Sequence, residues 1–500
     1  MGRVYVSNRG ICTGCGACLA VCPNKAIDVV EDNLTHFMYP MVDENKCIGC
    51  DLCRAICPVL VDANEINSVL GTFAAYNKQI EDRMKSASGG MFRVLAAQVL
   101  SMGGAVAGVK YCGPAYCKHV VIDSESELDE LCGTKYFQSD TTEVYVELEK
   151  ASREHETVMF CGTPCQVDGV RKWASTKGFL NKLLTVEILC RGVAPAFLQK
   201  KYIDYLENKS HKKINSIRYK EKTRGWNKIG TMVTFTDGSS EYIKNSENEF
   251  LWLEFSGNYS VRESCLNCRY KSTYRTGDIT IGDFWGYPND KLVDNYGISF
   301  LLVNTEKGRR FFEDIKKDIH FSQELLNDVV MNNKNGFSQI TCDLRMRDVF
   351  WKMINADVSI GDATSYIKYV DNNKYGSIKK DKNNISLFER WVEAVDSGIA
   401  AKAFFEQRRV HEIAIYGYGM LGKAFYKVIK KTDIRVGYII DRNKDIWETS
   451  ECAFYSSEDE LPSVDMVIVT AINAYVEIVE QLKIKMDCEI ISIEEFIRAL

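Results

Sequence analysis

Two runs of four cysteines near the start of the chain limit what it can fold into more than any other feature. Each run reads C-x-x-C-x-x-C-x-x-x-C-P, and the second repeats the first 35 residues later, from Cys12 to Cys47. Three closely spaced thiolates can each bind a different iron of one cubane cluster, while the fourth iron needs a ligand from elsewhere. A disulfide knot or a structural zinc site is the alternative, but neither predicts a duplicated pattern of eight positions.

This spacing is typical of two-cluster bacterial ferredoxins, in which the fourth cysteine of each run binds the cluster of the other run. Glycines within the runs, at Gly14, Gly16 and Gly49, permit close approach of the backbone to a cluster. We therefore predict two 4Fe–4S clusters in a ferredoxin-like domain over residues 1–62. The predicted ligand sets are Cys12, Cys15, Cys18 and Cys57 for one cluster, and Cys47, Cys50, Cys53 and Cys22 for the other.

Charge and hydropathy argue against several other classes of protein. The net charge of −5 argues against a nucleic-acid binder, which needs a basic stripe. The N-terminus has no apolar signal-peptide segment. The most apolar window, residues 94–109, is interrupted by polar residues and glycines, so no membrane span is expected. The remaining cysteines do not form a secreted disulfide framework. A cytoplasmic protein in a reducing compartment is expected.

A run of small residues after the cysteines predicts a cofactor site. Residues 63–80 are predicted to form a connecting helix. Ser86-Ala87-Ser88-Gly89-Gly90 then precedes an apolar helix predicted over residues 94–101. Unpaired amides at a helix N-terminus attract anionic groups, and glycines allow close approach. The simpler alternative is a helix cap made by Ser88.

Further motifs follow in the same stretch of chain. The strand predicted at residues 157–160 ends in CGTPCQ, and ligands lie at such carboxyl ends in open α/β sheets. Cys265 and Cys268 have metal-ligand spacing, although a lone C-x-x-C is also compatible with a zinc knuckle or a dithiol. The other motifs are GTKYFQS at 133–139, LCRG at 189–192 and GDITIGDFWG at 277–286.

Together with the ferredoxin-like domain, these motifs occur in an order that resembles the family formed by the beta subunits of the deazaflavin-coenzyme (F-420) hydrogenases and dehydrogenases. The resemblance covers roughly residues 1–375. It implies an iron–sulfur flavoprotein that holds FAD in an α/β fold of its own, with a 4Fe–4S cluster beside the flavin. Some members reduce the deazaflavin coenzyme, and others act on unrelated substrates.

The resemblance also implies residue roles. Cys161 is left out of the third cluster, since members often have Ser at its position. The flavin seat would include Ser88, Gly89, Gly90, Lys135, Tyr136, Thr163 and Gln166. The third cluster would use Cys165, Cys190, Cys265 and Cys268. Cysteines that have no partner at metal-ligand spacing are expected to be buried and to pack as small hydrophobic residues. They are Cys112, Cys117, Cys132, Cys342, Cys452 and Cys488.

The last ninety residues are predicted to form a separate Rossmann-like domain, 409–500, of about four strands. Gly417, Gly419 and Gly422 form G-x-G-x-x-G after a predicted strand, and Asp441 ends the next strand, as in the dinucleotide fingerprint. This predicts binding of NAD(P) or another nucleotide. The alternative is a helix packed closely on a strand, which also needs Gly422. The domain resembles small Rossmann-like units attached to enzymes of surface-sugar metabolism.

The predicted protein is therefore a multidomain α/β and α+β iron–sulfur flavoenzyme. Its domains are the ferredoxin-like module, a beta-subunit-type FAD domain at 63–375, a helical linker at 376–408 and the Rossmann-like domain. Electrons from ferredoxin or another low-potential donor would reach FAD and a small-molecule substrate, in surface-polysaccharide or sugar metabolism. Reduction of the deazaflavin coenzyme and a non-catalytic electron-transfer subunit are the alternatives. No motif identifies the substrate.

No catalytic acid or base is identified from the sequence. The histidines are scattered outside the motifs, and each is expected on the surface or satisfied in the core. They are His36, His119, His155, His211, His320 and His411.

Overall fold

The computed structural model describes residues 9–61, 67–287, 294–373, 399–441, 452–471 and 475–499. The chain divides into two compact units, Met1–Leu344 and Arg345–Leu500. Most of the predicted linker at 376–408 lies outside the described residues. Among the described helices, none is long and apolar enough to cross a membrane.

The cysteine runs form a small α+β module at the start of the first unit. Two strands, β1 and β2, pair antiparallel with Ile27 opposite Val42. A short helix contains the third cysteine of each run. The elements are α1 (Ala17–Val21), β1 (Ile27–Glu31), β2 (Met38–Val42) and α2 (Leu52–Ile56).

The rest of the first unit is built on an eight-stranded mixed sheet, in the order β13-β3-β12-β11-β7-β6-β4-β5. Four adjacent strands, β11, β7, β6 and β4, are parallel, and the remaining pairs on either side of them are antiparallel. The strands are β3 (Gly71–Asn77), β4 (Ala105–Tyr111), β5 (Cys117–Ile122), β6 (Val158–Gly162), β7 (Leu183–Ile188), β11 (Ile279–Asp283), β12 (Ser299–Val303) and β13 (Ile319–Gln323).

The prediction of a helix over residues 63–80 is wrong, because strand β3 occupies the second half of this range. This strand lies between β12 and β13. Thr72, Ala74 and Ala75 are buried in the sheet. The small and aromatic residues of β3 are also compatible with a helix. Pairing with β12 on one side and β13 on the other holds them in a strand, so tertiary context overrides local propensity.

Helices cover both faces of the large sheet. Leu95 and Val99 of α4 share one apolar cluster with Phe312 of α11, and Tyr145 of α6 shares a second with Trp173 of α7. The helices of this unit are α3 (Ile80–Lys85), α4 (Met91–Ser101), α5 (Leu128–Leu131), α6 (Val144–Glu154), α7 (Pro164–Lys177), α8 (Ala196–Ser210), α9 (Glu249–Phe255), α10 (Glu263–Leu266), α11 (Glu306–Ile315), α12 (Leu326–Asn332) and α13 (Lys334–Phe337).

A smaller antiparallel sheet follows α8 in the chain. Its order is β10-β9-β8, and a helix capped by the Asn248 side chain, α9, comes directly after it. Its strands are β8 (Ile214–Glu221), β9 (Gly230–Phe235) and β10 (Ser240–Lys244).

The second unit contains a parallel five-stranded sheet in the order β16-β15-β14-β17-β18. Numbered from its first strand, this is 3-2-1-4-5, as in doubly wound sheets. The described residues of this unit form five strands rather than the predicted number of about four, because Ala453–Tyr455 adds an edge strand. The elements are α14 (Leu344–Asn355), α15 (Ile360–Asn373), α16 (Ile399–Arg408), β14 (Glu412–Tyr416), α17 (Met420–Ile429), β15 (Arg435–Ile440), β16 (Ala453–Tyr455), β17 (Met466–Val469), α18 (Tyr475–Lys483), β18 (Glu489–Ser492) and α19 (Ile493–Ala499).

Candidate functional site

The first predicted ligand set comes together in the interior of the N-terminal module. Burial and the neighbouring thiols of Cys12 and Cys57 raise the pKa of Cys18 to about 12. Cys15 is likewise buried beside Cys18, Cys57 and Cys12, and its pKa is raised. A cluster's positive irons would reverse this mutual repulsion, because coordinating thiols bind as thiolates.

The second predicted set is closer to solvent. Cys50 is exposed, and Cys22, Cys47 and Cys53 are half-buried. Burial raises the pKa of Cys53, with smaller contributions from Cys50 and Cys22. Ile48, beside these cysteines, is 65% exposed. The second set is therefore the more accessible of the two N-terminal sets.

The surroundings of the cysteines fit cubane clusters. The Ala26 amide donates to Cys22 Sγ at 3.2 Å, and Gly14, Gly16 and Gly49 all have positive φ, near 69° to 85°. Among the described residues, no three His, Cys, Asp or Glu side chains are placed to hold a single metal ion. Ligands of one cubane each bind a different iron, and therefore stand farther apart than the ligands of one ion.

The third predicted set also converges. Cys165 lies in the first turn of α7, Cys190 follows β7, and Cys265 and Cys268 lie in and after α10. Burial and then the charges of Cys265, Cys165 and Cys268 raise the pKa of Cys190. Cys161 lies elsewhere, beside Lys135 and Cys132. The carboxyl ends of β6 and β7 and the α10 segment thus bring four thiols to one place.

Helix α7 connects the first and third sets. Cys15 is among the neighbours that raise the pKa of Cys165, after burial and the two C-x-x-C thiols. A Cβ added at Gly169 would lie 3.2 Å from Cys15 Sγ. The buried Tyr270 hydroxyl donates to Asp168 Oδ2 at 2.9 Å. After burial and Asp168, the thiols of Cys165 and Cys15 contribute to raising the pKa of Tyr270. The two sets are therefore close neighbours.

Hydrogen bonds fix this arrangement. The Tyr145 hydroxyl donates to the Cys15 carbonyl at 2.6 Å. The fully buried Arg262 donates through Nε to the Cys12 carbonyl at 2.7 Å and lies 3.7 Å from Cys12 Sγ. Arg262 also begins the segment that leads to Cys265. One residue thus contacts the first set directly and is three positions from a ligand of the third.

A cavity of about 1070 Å³ adjoins the third set. Its volume is at the upper limit of ordinary small-molecule sites, roughly 300–1,000 Å³. All four thiols of the third set line it, together with the SASGG and GTKYFQS segments and the start of α7. Motifs that are distant in sequence thus form a single concave site.

All residues of the SASGG segment except Gly89 line the cavity. Ser88 lines the cavity, and its hydroxyl donates to the Ile298 carbonyl at 2.7 Å. Gly90, with φ of 87°, is the N-cap of α4, and no side chain caps that helix, so the alternative of a Ser88 cap is wrong. Gly89 is not among the lining residues; an added Cβ would meet the Ser299 amide at 2.7 Å. Gly89 therefore permits the loop to pack on the sheet.

Lys135 and Tyr136 line the cavity beside the loop. Lys135 Nζ donates to the carbonyls of Leu131 and Cys132, at 3.1 and 2.8 Å, at the end of α5. Burial lowers the pKa of Lys135 to about 8. The Tyr136 ring meets Phe255 edge to face, with centroids 4.9 Å apart. Both side chains are held in place before any ligand binds.

Thr163 and Gln166 form a capping box at the start of α7. The Thr163 amide donates to Gln166 Oε1 at 3.0 Å, and Gln166 Nε2 donates to Ser139 Oγ at 3.1 Å. Both residues line the cavity. Their hydrogen bonds position the first turn of α7, and with it Cys165.

Several lining residues were not predicted from the sequence. Lys220 pairs with Asp283 and has an unusual φ of 54°. Trp285 stacks on Trp226 with centroids 4.8 Å apart. Glu254 is a buried acid in α9. Asp283 and Trp285 belong to the GDFW motif, whose turn could have suggested them, whereas nothing local marks Lys220 or Glu254.

His119 is satisfied by hydrogen bonds in the core, which is one of the two kinds of position expected for the histidines. This ring is buried between Ser139 Oγ and the Cys161 carbonyl, each 3.1 Å away, and burial lowers its pKa to about 4. Among the cysteines without partner spacing, Cys117 is buried, but Cys112 is exposed rather than buried and the other four are half-buried.

The glycine loop of the second unit is held by internal contacts. Gly417 has φ of 91°, and a Cβ at Gly422 would collide with the Gly417 carbonyl. Asp441 Oδ2 accepts from the Tyr418 amide at 2.6 Å. A Cβ at Gly419 would meet nothing within 4 Å. Gly422 and Asp441 therefore have structural roles here, and only Gly419 faces open space.

Two parts of the first unit match the models of known protein families. Residues 155–328 match the family model described as the C terminus of the coenzyme F420 hydrogenase/dehydrogenase beta subunit, and residues 11–61 match that of the 4Fe–4S dicluster domain. These ranges contain the third cysteine set and both N-terminal sets, respectively.

Two individual proteins are also similar. The F subunit of the F(420)H(2) dehydrogenase from Methanosarcina mazei is 22% identical over 330 residues, which are 64% of this chain and 86% of that protein. A chain from the xenon-derivatised F420-reducing NiFe hydrogenase complex of Methanosarcina barkeri aligns with a TM-score of 0.38 and 17% identity. That alignment covers 64% of this chain and 97% of the other. A TM-score this low does not establish a shared fold.

Proposed function

Because this chain is an iron–sulfur protein similar to the beta subunits of coenzyme F420 hydrogenases and dehydrogenases, we propose that it is an iron–sulfur flavoenzyme. In this proposal it moves electrons from a ferredoxin-type or other low-potential donor to a small-molecule substrate. The two N-terminal clusters, a third cluster at Cys165, Cys190, Cys265 and Cys268, and FAD in the adjoining cavity form the path.

One observation carries the proposal: the third cysteine set borders both the cavity and the first N-terminal set. Cys165 has Cys15 as a neighbour on one side and lines the cavity on the other. The second N-terminal set, with the exposed Cys50, is the accessible end. This arrangement of the cysteine sets and the cavity supports a path that would run from the donor through three clusters to the cavity.

The cavity also suits a flavin with an anionic diphosphate. Helix α4 has eleven residues and begins at Met91, with Gly90 as its N-cap and no side-chain cap. Its free amides and dipole favour a phosphate group. FAD, when bound, would collect single electrons from the clusters and release them in pairs. Ser88, Lys135, Tyr136, Thr163 and Gln166 would hold it, whereas Gly89 would shape the loop behind.

A second candidate is reduction of the deazaflavin coenzyme itself. The observation in its favour is the likeness to a component of the F(420)H(2) dehydrogenase, 22% over 330 residues. A non-catalytic electron-transfer subunit is the third. Reduction of the oxidised deazaflavin coenzyme by the purified chain in its reduced form, followed at the coenzyme absorbance, would select the second candidate. Transfer only to a protein acceptor would select the third.

Cofactor analysis tests the main proposal. After anaerobic purification, we expect about twelve irons per chain from three cubanes, and one FAD. Eight irons would contradict a third cluster, because the N-terminal sets account for that number. A preparation with twelve irons and no flavin would contradict the flavoenzyme while leaving the electron-transfer subunit.

We also propose that the second unit binds NAD(P) or another nucleotide at Gly417–Gly422. Gly419→Trp is expected to abolish binding without unfolding the unit, since the position faces open space. Calorimetric titration of the whole chain with NAD, NADP and a nucleotide sugar measures this. If the unsubstituted chain binds none of them, the loop serves packing alone, and the surface-sugar context loses its support.

A further inference from the structure

One buried acid that lines the cavity has a carboxylate oxygen without a hydrogen-bond partner among the described residues. Glu254 has 2% of its surface exposed and is among the lining residues. Its Oε2 atom is fully buried and receives no hydrogen bond from any described residue. An ionised carboxylate in such a place would lack the hydrogen bonds that buried charges require.

The neighbours of Glu254 do not replace those bonds. Arg191 is the charged group that favours its ionised form, but burial dominates and raises the pKa of Glu254 well above its usual range. Glu254 is also a charged neighbour of the Tyr136 and Tyr219 phenols, whose pKa values are raised mainly by burial. They stay neutral and do not compete for its proton. Lys220 and Asp283, farther along the wall, are engaged with each other.

The local structure fixes this acid in place. Helix α9 starts at Asn248, whose side chain accepts from the Leu251 amide at 2.9 Å and donates to Thr231 at 3.0 Å. Phe250 and Leu253 of the same helix are completely buried. Glu254 therefore has little freedom to turn out to solvent, and its remaining open direction is the cavity.

Glu254 is also placed on the side where electrons would arrive. Arg191, its charged neighbour, directly follows Cys190 and donates to the carbonyl of Phe255. One short stretch of the wall thus presents a thiol of the third set, a cation and a buried acid. Electron delivery that leaves an anion is more favourable where a proton is available.

We propose that Glu254 supplies the proton that accompanies the electrons delivered into the cavity. The inference rests on the proposed function, which provides the reductant and the two-electron acceptor. Two electrons arrive singly from the clusters, the Glu254 O–H bond breaks, and the proton passes to the reduced acceptor atom. The carboxylate that remains lies near Arg191, whose positive charge stabilises it until a solvent proton restores the acid. A neutral carboxylic acid kept in an apolar site is a known catalytic device.

The test compares Glu254→Gln with Glu249→Gln in the full-length protein loaded with clusters and flavin. Both changes lie in α9, but Glu249 accepts from the Tyr205 hydroxyl at 3.1 Å and is not a lining residue. Bound flavin is reduced with dithionite at pH 7 and followed by stopped-flow absorbance, in H₂O and D₂O. We expect Glu254→Gln to slow reduction about 100-fold, with iron and flavin content unchanged, and Glu254→Asp to restore part of the rate.

Infrared spectroscopy gives a readout that does not depend on turnover. The C=O stretching band of a protonated carboxylic acid should be present in the unsubstituted protein and in Glu249→Gln, and lost in Glu254→Gln. An unslowed Glu254→Gln, or no band in the unsubstituted protein, would overturn the inference. Absence of flavin would instead overturn the proposed function; in that preparation the band supports Glu254 as a proton-holding acid, and a missing band rejects it.

Discussion

Cys268→Ala is expected to remove about four irons per chain, one cubane's content, and to stop electron transfer from the N-terminal clusters to the flavin. Cys268 is half-buried, and its thiol contributes to raising the pKa of both Cys165 and Cys190. The two other predicted sets do not include it, so eight irons should remain. Iron analysis and the absorbance of the bound flavin after anaerobic addition of dithionite measure both effects.

Cys112→Ala is the matched control. Cys112 is exposed and belongs to no predicted set. It should keep about twelve irons and the electron transfer of the unsubstituted protein. Unchanged iron in Cys268→Ala would reject this ligand assignment. Loss of eight or more irons would show that the third set supports the neighbouring cluster, as the contact between α7 and Cys15 would allow.

Arg275→Met is expected to lower the free energy of unfolding by about 3–5 kcal/mol, because it leaves a buried carboxylate without its cation. Arg275 pairs with Glu187, and their side chains are 1% and 0% exposed. Glu187 also accepts from the Thr276 hydroxyl at 2.7 Å and the Gly277 amide at 3.1 Å. These bonds tie β7 to the segment between Cys268 and β11. A lower urea midpoint with an unchanged slope would show the loss.

Arg309→Met serves as the control for this measurement. Arg309 pairs with Glu306 at 3.5 Å, with side chains 49% and 67% exposed, so its removal should cost less than about 1 kcal/mol. Adding Glu187→Gln to Arg275→Met should recover part of the stability, since it removes the unpaired charge. Equal midpoints for the two single variants would contradict a buried ion pair that matters for stability.

The N-terminal clusters could be predicted because their ligands are local. Within each run the spacing of three cysteines and one helical turn decides which thiols meet, and only the exchange of Cys22 and Cys57 is long-range. The third set required more. Cys165 and Cys190 follow neighbouring parallel strands, whose ends meet at one sheet edge, but the approach of Cys265 and Cys268 depends on packing that no local pattern encodes.

Two of the cavity residues that sequence reasoning missed, Lys220 and Glu254, come from outside that sheet. Glu254 is in a helix that follows the separate β8–β10 sheet, and its heptapeptide EFLWLEF looks like an ordinary amphipathic segment. What makes this acid unusual is burial without a partner, which appears only after folding. The same limit explains β3, whose sequence allows a helix until β12 and β13 pair with it.

The hydrogen bonds from Thr141, Tyr145 and Arg262 to the cysteine loop around Cys12 and Cys15 have a kinetic consequence. A separate ferredoxin must find its partner again for every electron, so its rate falls with dilution. A carrier joined to its acceptor works at an effective concentration on the order of millimolar. In the proposed path, transfer from this module to the cavity would therefore be a first-order process, and dilution would slow only the reaction with the external donor.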